Sequence, residues 1–198
     1  GISVIEAGHP IPNEKSLLGA REILDVSERA GENDVVLVLV SGGGSALVTA
    51  PVSGVTLEDM ARVNELLVES GADIYQINTV RKHLSRVKGG RLAKAAFPAR
   101  VLTLVLSDVV GDDLSTIASG PTAPDPTTFD AALEILETYW LRERVPRSVL
   151  DHLDAGRRGE REETPTEDDP VFRRVTHVIV GGASTALDAA GRRAEKLG

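Results

Sequence analysis

The sequence contains no cysteine, so disulfide bonds and thiolate metal sites are excluded. Aromatic residues make up only 3% of its 198 residues, so a core has to be built from Val, Leu, Ile and Ala. No segment approaches the roughly 20 apolar residues of a membrane span, and the first residues resemble neither a signal nor a transit peptide. These absences predict a cytoplasmic protein without a membrane partner. Since the only methionine is Met60, we expect the chain to be part of a longer protein.

The charge is negative overall but unevenly distributed. A net charge of −8 argues against nucleic-acid binding by the whole surface. Residues 74–107 nevertheless contain no Asp or Glu, and all the charge there is basic. Such a window is typical either of a local anion site or of a solvated helix face, and both interpretations stay open. Residues 156–170 contain no apolar residue, which predicts an exposed, mobile loop.

Strand-like apolar runs alternate with amphipathic patterns, which predicts an α/β fold with a mostly parallel sheet. The predicted strands are 3–5 (or 2–6 as an edge), 35–40, 101–106 and 175–180. Asn13 is the expected cap of a first helix, Thr56 with Asp59 resembles a capping box, and Ser184 is the expected cap of the last helix. The expected apolar stripes are Leu57, Met60, Ala61, Asn64, Leu67 and Val68; Ile77, Val80, Leu84 and Val87; and Phe129, Ala132, Leu133, Leu136 and Trp140.

The strand at 35–40, which we expect to be buried on both faces, runs almost directly into three glycines. Gly42, Gly43 and Gly44 are flanked by Ser41 and Ser45. Glycines at the carboxyl end of a strand permit positive φ and leave their N–H groups uncovered, which together form a concave anion site. Because open α/β sheets bind ligands at this edge, the turn predicts a phosphate or carboxylate site.

Stricter motifs do not match this turn. It lacks the lysine of a P-loop, and Leu47 stands where a dinucleotide fingerprint has its third glycine. It also lacks the last glycine of a nucleophile elbow, so Ser45 as a nucleophile would need a histidine base that the sequence does not place. That alternative and a tight turn without ligand both remain open. Three glycines exceed what a turn needs, which favours a ligand.

Two further segments carry polar side chains suited to anions and hydroxyls. On a helix that continues to Gly89, the side chains of Arg81, Ser85 and Lys88 would share one face and reach a bound anion. Asp108 follows the strand at 101–106, where carboxylates hold Mg²⁺ or position a hydroxyl, although turn capping by Asp112 or Asp113 is the alternative. The proline-rich loop at 117–126 either lines the same crevice or is a rigid connection.

Several long motifs, taken in order, resemble the glycerate 2-kinase family, also called the MOFRL family, some members of which are labelled hydroxypyruvate reductase. The segments that carry the resemblance are EAGHPIP at 6–12, SGGGSAL at 41–47, NTVRKHLSRVKGGRL at 78–92, SDVVGDDLSTIASGPTAPDPTTF at 107–129 and VGGAS at 180–184.

The resemblance implies a Rossmann-like, three-layer α/β/α domain and a kinase that uses ATP and Mg²⁺. Its reaction would be phosphorylation of D-glycerate at the 2-hydroxyl, giving 2-phosphoglycerate. Residues 1–198 would form most of the large domain, while a preceding lysine-bearing segment and a C-terminal MOFRL domain would lie outside this chain. The active site would occupy the cleft between the domains, and this fragment alone would be inactive. A homodimer is left open.

The residue pattern fits that chemistry in the following way. Arg81, Lys88 and Asp108 are the predicted catalytic residues, and Asp108 with Asp112 is the predicted metal pair. The predicted substrate- or phosphate-binding residues are Ser41, Gly42, Gly43, Gly44, Ser45, Asn78, Lys82, Ser119, Gly120 and Thr122. Two alternatives remain: a hydroxypyruvate or tartronate semialdehyde reductase, for which the chain lacks a dinucleotide fingerprint, and a non-catalytic nucleotide-binding module.

Overall fold

The fold is organised around a three-stranded parallel sheet. The computed structural model describes residues 1–198 apart from the side chain of Ser184, so the predicted Ser184 cap lies outside the described residues. The strands β1 (Val35–Val40), β2 (Arg100–Leu106) and β3 (Val175–Gly181) lie in the order β1-β2-β3. The α/β class and the parallel sheet are therefore confirmed.

Eight helices are described: α1 (Glu14–Glu28), α2 (Gly44–Leu47), α3 (Leu57–Glu69), α4 (Ile74–His83), α5 (Arg91–Ala96), α6 (Phe129–Thr138), α7 (Arg147–Arg157) and α8 (Ala183–Glu195). Short 3₁₀ turns cover Ile117–Ser119 and Pro170–Arg174. In the part of the chain that the structure describes, no helix is long and apolar enough to cross a membrane.

The predicted strand at 3–5 is wrong, as is its longer form at 2–6. These residues are irregular, and Ile2 and Val4 are 96% and 82% exposed. A strand is stable only when a neighbour satisfies its N–H and C=O groups. No described strand pairs with this segment, so its alternating apolar residues have no sheet to join.

The two faces of the sheet differ in cover. On one face, Val38 packs against Ala20 and Leu24 of α1 and Leu92 of α5. On the other face, Val35, Leu37 and Leu39 are 55%, 55% and 72% exposed. The expectation that β1 is buried on both faces is therefore wrong for this chain, because the described helices bury only one of them.

A second core lies among α3, α4, α6 and α7. Its centre is fully buried and includes Leu66, Val80, Phe129 and Leu153. The predicted stripe of α6 belongs to it except for Trp140, which is 87% exposed because α6 ends at Thr138 and Trp140 has φ of +56°. This helical cluster brings the carboxyl end of α4 towards the turn that follows β1.

Helix α4 is shorter than predicted, and the reason is local. It ends at His83, and the Ser85 hydroxyl then accepts hydrogen bonds from the N–H groups of Val87 and Lys88, both at 3.2 Å. A serine side chain that satisfies backbone N–H groups in this way competes with helix formation. The prediction that Lys88 shares a helical face with Arg81 is therefore wrong, because Lys88 lies beyond the end of α4, in a turn.

The segment at 156–170 is exposed along most of its length, as its composition predicts, but part of it packs against the helical core. Its first two residues end α7, and Thr164 and Pro165 are buried. Glu163 accepts a hydrogen bond from the N–H of Phe129 at 2.9 Å, and His83 Nε2 lies 3.1 Å from its carboxylate. Charged residues thus tie this loop to the helical core.

The pH dependence of stability tests this tie. Burial opposes ionisation of Glu163, but the hydrogen bonds from His83 and Phe129 outweigh it and lower the Glu163 pKa below 4.5. A carboxylate with a lowered pKa stabilises the fold above its unfolded-state pKa and loses that effect as pH falls through its folded-state pKa. We expect Glu163→Gln to be less stable than the wild type at pH 7 in urea unfolding, with the difference disappearing in acid.

The control for this test is Glu162→Gln, because the Glu162 carboxylate is exposed and, among the described residues, pairs with the half-exposed Lys94 alone. Exposed ion pairs contribute little to stability, so this variant should follow the wild type at both pH values. A Glu163→Gln variant as stable as the wild type at pH 7 would contradict the proposed tie.

The start of α3 is stabilised by the predicted capping box. The Thr56 hydroxyl accepts from the N–H of Asp59 at 3.0 Å, and the Asp59 carboxylate accepts from the N–H of Thr56 at 3.0 Å. Loss of such a cap costs about 1 kcal/mol. We expect Thr56→Ala to lower the free energy of unfolding by that amount, whereas Thr138→Ala, at the exposed end of α6, changes it far less. Equal effects would show that the box does not matter.

Candidate active site

Four segments converge on the hydroxyl of Ser45. Ser45 lies in α2, directly after the glycine turn, and its Oγ is 2.7 Å from Arg81 Nη2 of α4. The same Oγ lies 2.8 Å from Lys88 Nζ and 2.9 Å from Ser119 Oγ. Asn78 completes the group by accepting a hydrogen bond from Ser119 Oγ at 3.0 Å. We call these five residues the Ser45 cluster; all were predicted site residues.

Lys88 is the most unusual member. Its side chain is fully buried, and Nζ donates to the carbonyl oxygen of Ser45 at 2.6 Å. Among the described residues, no carboxylate forms an ion pair with it. Burial, and after it the charge of Arg81, lowers the pKa of Lys88 well below 10.5, which favours the neutral amine.

Arg81 supplies the positive charge of the cluster. Burial lowers its pKa, but guanidinium groups remain protonated in proteins. Its side chain is only partly covered and reaches the same hydroxyl oxygen as Lys88. The cluster therefore presents a fixed cation beside a buried amine, an arrangement suited to an anionic ligand.

The turn that carries Ser119 has strained backbone geometry. Ala118 and Ser119 have φ of +50° and +61°, in the left-handed region that non-glycine residues seldom adopt, and Gly120 follows at +59°. Hydrogen bonds from the N–H groups of Gly89 and Gly90 to the carbonyls of Ser119 and Gly120 hold the turn. Strain of this kind concentrates at functional sites.

The three glycines of the turn are each explained by a close neighbour. A Cβ on Gly42 would lie 2.2 Å from Asp108 Oδ2, and one on Gly43 would lie 3.0 Å from His9 Nε2. A Cβ on Gly44 would lie 3.2 Å from the Cβ of Ala118. Packing thus accounts for the glycine run, which removes the argument that its length alone requires a ligand.

The turn still offers hydrogen-bond donors. Within the described residues, the N–H groups of Gly42, Gly43 and Ser45 donate to no acceptor, whereas Gly44 N–H donates to the carbonyl of Ser41 at 3.3 Å. Ser41 itself is exposed and joins the turn through that carbonyl. Successive free N–H groups form a cradle for an anion.

Asp108 and Asp112 lie at the same edge of the sheet. Asp108 is exposed and lies against Gly42, which follows β1. Asp112 lies against Gly182, which follows β3. Asp113, and not Asp112, caps the local turn by accepting from Ser115 and Thr116. Burial opposes its ionisation, but these hydrogen bonds lower the pKa of Asp113.

These carboxylates are few for a metal site built from protein alone. No group of three or more His, Cys, Asp or Glu that could hold a metal occurs in the described part of the chain. Magnesium, however, is usually held by one or two carboxylates together with water and substrate phosphates. Since Asp108 and Asp112 form no described ion pair, they fit that smaller requirement.

Other predicted residues lie apart from the cluster. Lys82 is buried and paired with Asp125, with Nζ 3.3 Å from Oδ1. Thr122 contacts Thr103 at 3.0 Å and His177 at 3.1 Å, beneath the sheet. Neither side chain contacts Ser45 in the structure. Gly120 is the last residue of the turn with positive φ that carries Ser119. Lys82 and Thr122 are therefore placed as packing and hydrogen-bonding residues.

The histidines do not supply a base for Ser45. In the described structure none of the four hydrogen-bonds to its hydroxyl. His83 faces Thr79 and Glu163, and burial lowers the pKa values of both His152 and His177, which bond elsewhere. A serine–histidine pair, the alternative considered from the sequence, is not present.

The Ser45 cluster opens into a cavity of about 810 Å³. One wall is the glycine turn with Arg81 and Lys88, and another is α3, through Leu57, Ala61 and Arg62. Pockets of this size hold small organic ligands. The sequence assigned Leu57 and Ala61 to an apolar core stripe; their role as cavity wall depends on long-range packing that no local pattern reveals.

The fold and the site define an α/β protein with a glycine turn that carries free N–H groups at the carboxyl edge of its sheet. Residues 1–154 match the family described as "Domain of unknown function (DUF4147)". The sequence is 53% identical to a Pyrococcus horikoshii glycerate 2-kinase, covering 100% of this chain and 44% of that protein. It is 51% identical to a Thermotoga maritima D-glycerate 2-kinase, covering 74% and 36%.

A further relative, from Agrobacterium vitis, is called a putative hydroxypyruvate reductase and is 44% identical over 100% of this chain and 43% of its own length. A solved Pyrococcus horikoshii structure superposes with a TM-score of 0.89 at 51% identity, covering 100% of this chain and 46% of that one. Thermotoga maritima glycerate kinase gives 0.85 at 43% identity, covering 98% and 44%. The chain belongs to the glycerate 2-kinase family. It spans less than half the length of these relatives.

Proposed function

We propose that the complete protein containing this chain is an ATP-dependent kinase. It transfers the terminal phosphoryl group of ATP to the 2-hydroxyl of D-glycerate, giving 2-phosphoglycerate. The observation that carries the proposal is the convergence of Arg81, Lys88 and the free N–H groups of Gly43 and Ser45 on one cavity, with Asp108 against the adjoining Gly42. The names of the Pyrococcus and Thermotoga relatives support it.

The roles of the residues follow from the needs of phosphoryl transfer, which are positioning and charge neutralisation. The N–H groups of Gly42, Gly43 and Ser45 hold a phosphate or the glycerate carboxylate. Arg81 neutralises the negative charge that this anion brings into the cavity. Asp108 orients the attacking hydroxyl. Asp108 and Asp112 are also the residues that would hold Mg²⁺, which neutralises nucleotide phosphates when bound.

The chain forms most of the larger domain in this proposal, and a C-terminal domain closes the cleft. Two surfaces fit that arrangement. The exposed face of β1 carries Leu37 and Leu39, and α8 exposes Leu187 and Leu197 at 70% and 71%. Exposed apolar patches of this kind mark contact surfaces, so the remaining part of the protein is expected to cover them.

The test is an assay of the complete protein with Mg²⁺, ATP and D-glycerate, in which the product is identified as 2- or 3-phosphoglycerate. Formation of 2-phosphoglycerate supports the proposal. The name of the Agrobacterium relative raises a reductase as the second candidate, so a parallel assay follows NADH oxidation with hydroxypyruvate. Reduction without any phosphorylation would replace the kinase by the reductase, and nucleotide binding without turnover would favour a non-catalytic module.

A substitution in the glycine turn tests the placement of Asp108. We expect Gly42→Ala to leave the fold intact but to displace the Asp108 carboxylate, because the new Cβ would lie 2.2 Å from Oδ2. The rate of glycerate phosphorylation should fall at least about 10²-fold, since misplacement by 1 Å has that effect. Gly44→Ala, which meets only the Cβ of Ala118, is the matched control and should fall less. Equal rates in the two variants would count against a role for Asp108.

A further inference from the structure

The segment at 6–12, EAGHPIP, places a histidine against the glycine turn. His9 is exposed, and a Cβ on Gly43 would lie 3.0 Å from its Nε2 and 3.2 Å from its Cδ2. The imidazole ring therefore packs directly against the backbone of Gly43, whose N–H group is free. Both residues line the cavity into which the Ser45 cluster opens.

Tight local packing holds His9 in this place. The preceding Gly8 is enclosed so closely that a Cβ there would lie 2.5 Å from the carbonyl oxygen of Ile11 and 2.9 Å from Nδ2 of Asn13. The Asn13 side chain accepts hydrogen bonds from two N–H groups in the first turn of α1, at 3.0 and 3.2 Å. The segment that carries His9 is thus anchored to the start of α1.

The ring nitrogens of His9 are available to a ligand. Every hydrogen bond of a histidine ring in the described structure belongs to one of the other three histidines. Both nitrogens of His9 are therefore without a partner among the described residues. A neutral imidazole donates from one nitrogen and a protonated imidazole from both. A ring with a free donor beside a turn with free N–H groups is placed to donate to the same bound anion.

The two sides of the glycine turn suit different anions. Asp108 lies against Gly42 on one side, and neither Asp108 nor Asp112 lines the cavity. Because Mg²⁺ is held by carboxylates together with nucleotide phosphates, the phosphates of ATP belong on that side. The cavity side, where Arg81 and Lys88 are the cations, is then left for the other anionic group of the reaction, the carboxylate of the acceptor.

The acidic residues that line the cavity belong to its opposite wall. Glu58 and Glu65 are exposed residues of α3, and the Glu65 carboxylate is paired with Arg62. No carboxylate lines the cavity at the glycine turn in the described structure. An acceptor carboxylate is therefore attracted to the turn and not to α3.

We propose that His9 donates a hydrogen bond to the carboxylate of the acceptor, which the free N–H groups of Gly43 and Ser45 hold on the same turn. This inference rests on the proposed kinase function and deepens it, since it assigns the cavity to a 2-hydroxy acid and the other side of the turn to the nucleotide. His9 does not contact the transferred phosphoryl group, so it determines the affinity for the acceptor and not the rate of the chemical step.

Equilibrium binding to the complete protein, measured by calorimetry, tests this without catalytic turnover. We expect His9→Ala to weaken binding of D-glycerate by about 10-fold or more, the effect of losing a hydrogen bond to a charged group, and to leave binding of ATP with Mg²⁺ unchanged. His9→Gln should restore much of the affinity, because its amide nitrogen can take the place of Nε2. The matched control is Ser3→Ala, at an exposed residue outside the cavity, which should bind both ligands like the wild type.

The outcomes separate this inference from the kinase function. Steady-state kinetics of His9→Ala should show a raised KM for D-glycerate, with kcat and the KM for ATP close to the wild type. Wild-type affinity for D-glycerate in a folded His9→Ala protein would overturn the inference and leave the kinase in place. A loss of ATP affinity as large as that of glycerate affinity would also overturn it. Loss of glycerate affinity in a protein whose wild type phosphorylates no glycerate would support His9 and remove the kinase.

Discussion

Replacement of Lys88 by methionine is expected to lower kcat/KM for glycerate phosphorylation by about 10³-fold, the size of effect seen when a preorganised donor or base is lost from an active site. Methionine fills a similar volume but can donate neither to the Ser45 carbonyl nor to the Ser45 hydroxyl. The measurement is a steady-state assay of the complete protein, in which the loss should appear mainly in kcat.

The same substitution should change how stability depends on pH. Because the folded state lowers the Lys88 pKa below 10.5, the unfolded chain binds a proton that the folded chain releases. The free energy of unfolding therefore rises with pH between the folded-state pKa and about 10.5, and that rise should disappear in Lys88→Met.

The matched control is Lys94→Met. Lys94 lies on α5, is 37% exposed at its side chain and contacts Glu162, so its loss should leave both kcat/KM and the pH dependence unchanged. A folded Lys88→Met protein with wild-type kcat/KM would remove Lys88 from the mechanism.

Replacement of Gly156 by alanine is expected to reduce the free energy of unfolding by about 3 kcal/mol, the upper end for overpacking a core. Gly156 is buried near the end of α7, and a Cβ there would lie 2.2 Å from Cγ of Phe129. Phe129 cannot easily move, since its ring is fully buried and lies edge-on to two histidine rings. The ring centroids are 4.8 Å apart for His83 and 5.6 Å apart for His152.

Gly191→Ala is the natural comparison for this variant. Gly191 also lies inside a helix, α8, but a Cβ there would meet nothing within 4 Å. Alanine in a helix interior is favoured over glycine by about 0.5–1 kcal/mol, so Gly191→Ala should leave stability equal or slightly raised in urea unfolding. If both variants behaved alike, helix propensity rather than contact with Phe129 would determine the outcome.

Local signals predicted much of the fold. The Asn13 and Thr56 caps and the strands at 35–40 and 175–180 are present, because each depends on residues close in sequence. The parallel sheet was predicted from the alternation of strand-like and helical segments. The end of α4 was missed since it depends on the Ser85 hydroxyl satisfying two N–H groups, which the apolar stripe at Leu84 and Val87 conceals. Whether helices bury one or both faces of a strand depends on distant parts of the chain, so the residues of the strand itself do not indicate it.

In the candidate site, too, residue types were predictable from the sequence, whereas contacts between distant residues were not. Arg81, Lys88 and Ser45 were predicted from residue chemistry at the carboxyl ends of strands and on the basic segment, and the structure brings them together. Lys82 was predicted by the same logic, yet its neighbouring position on α4 turns it away from Arg81, towards Asp125. No sequence pattern indicated that Asp125, at a distance of 43 residues, would take this lysine.

The central claim is that the Ser45 cluster binds the anionic groups of the reaction. A crystal structure of the complete protein with D-glycerate and a non-hydrolysable ATP analogue tests it most directly. We expect a phosphate or carboxylate oxygen within hydrogen-bond distance of Arg81 and of the free N–H groups of Gly42 and Gly43. Both ligands bound elsewhere, with the Ser45 cluster unchanged and empty of any ligand oxygen, would contradict the account.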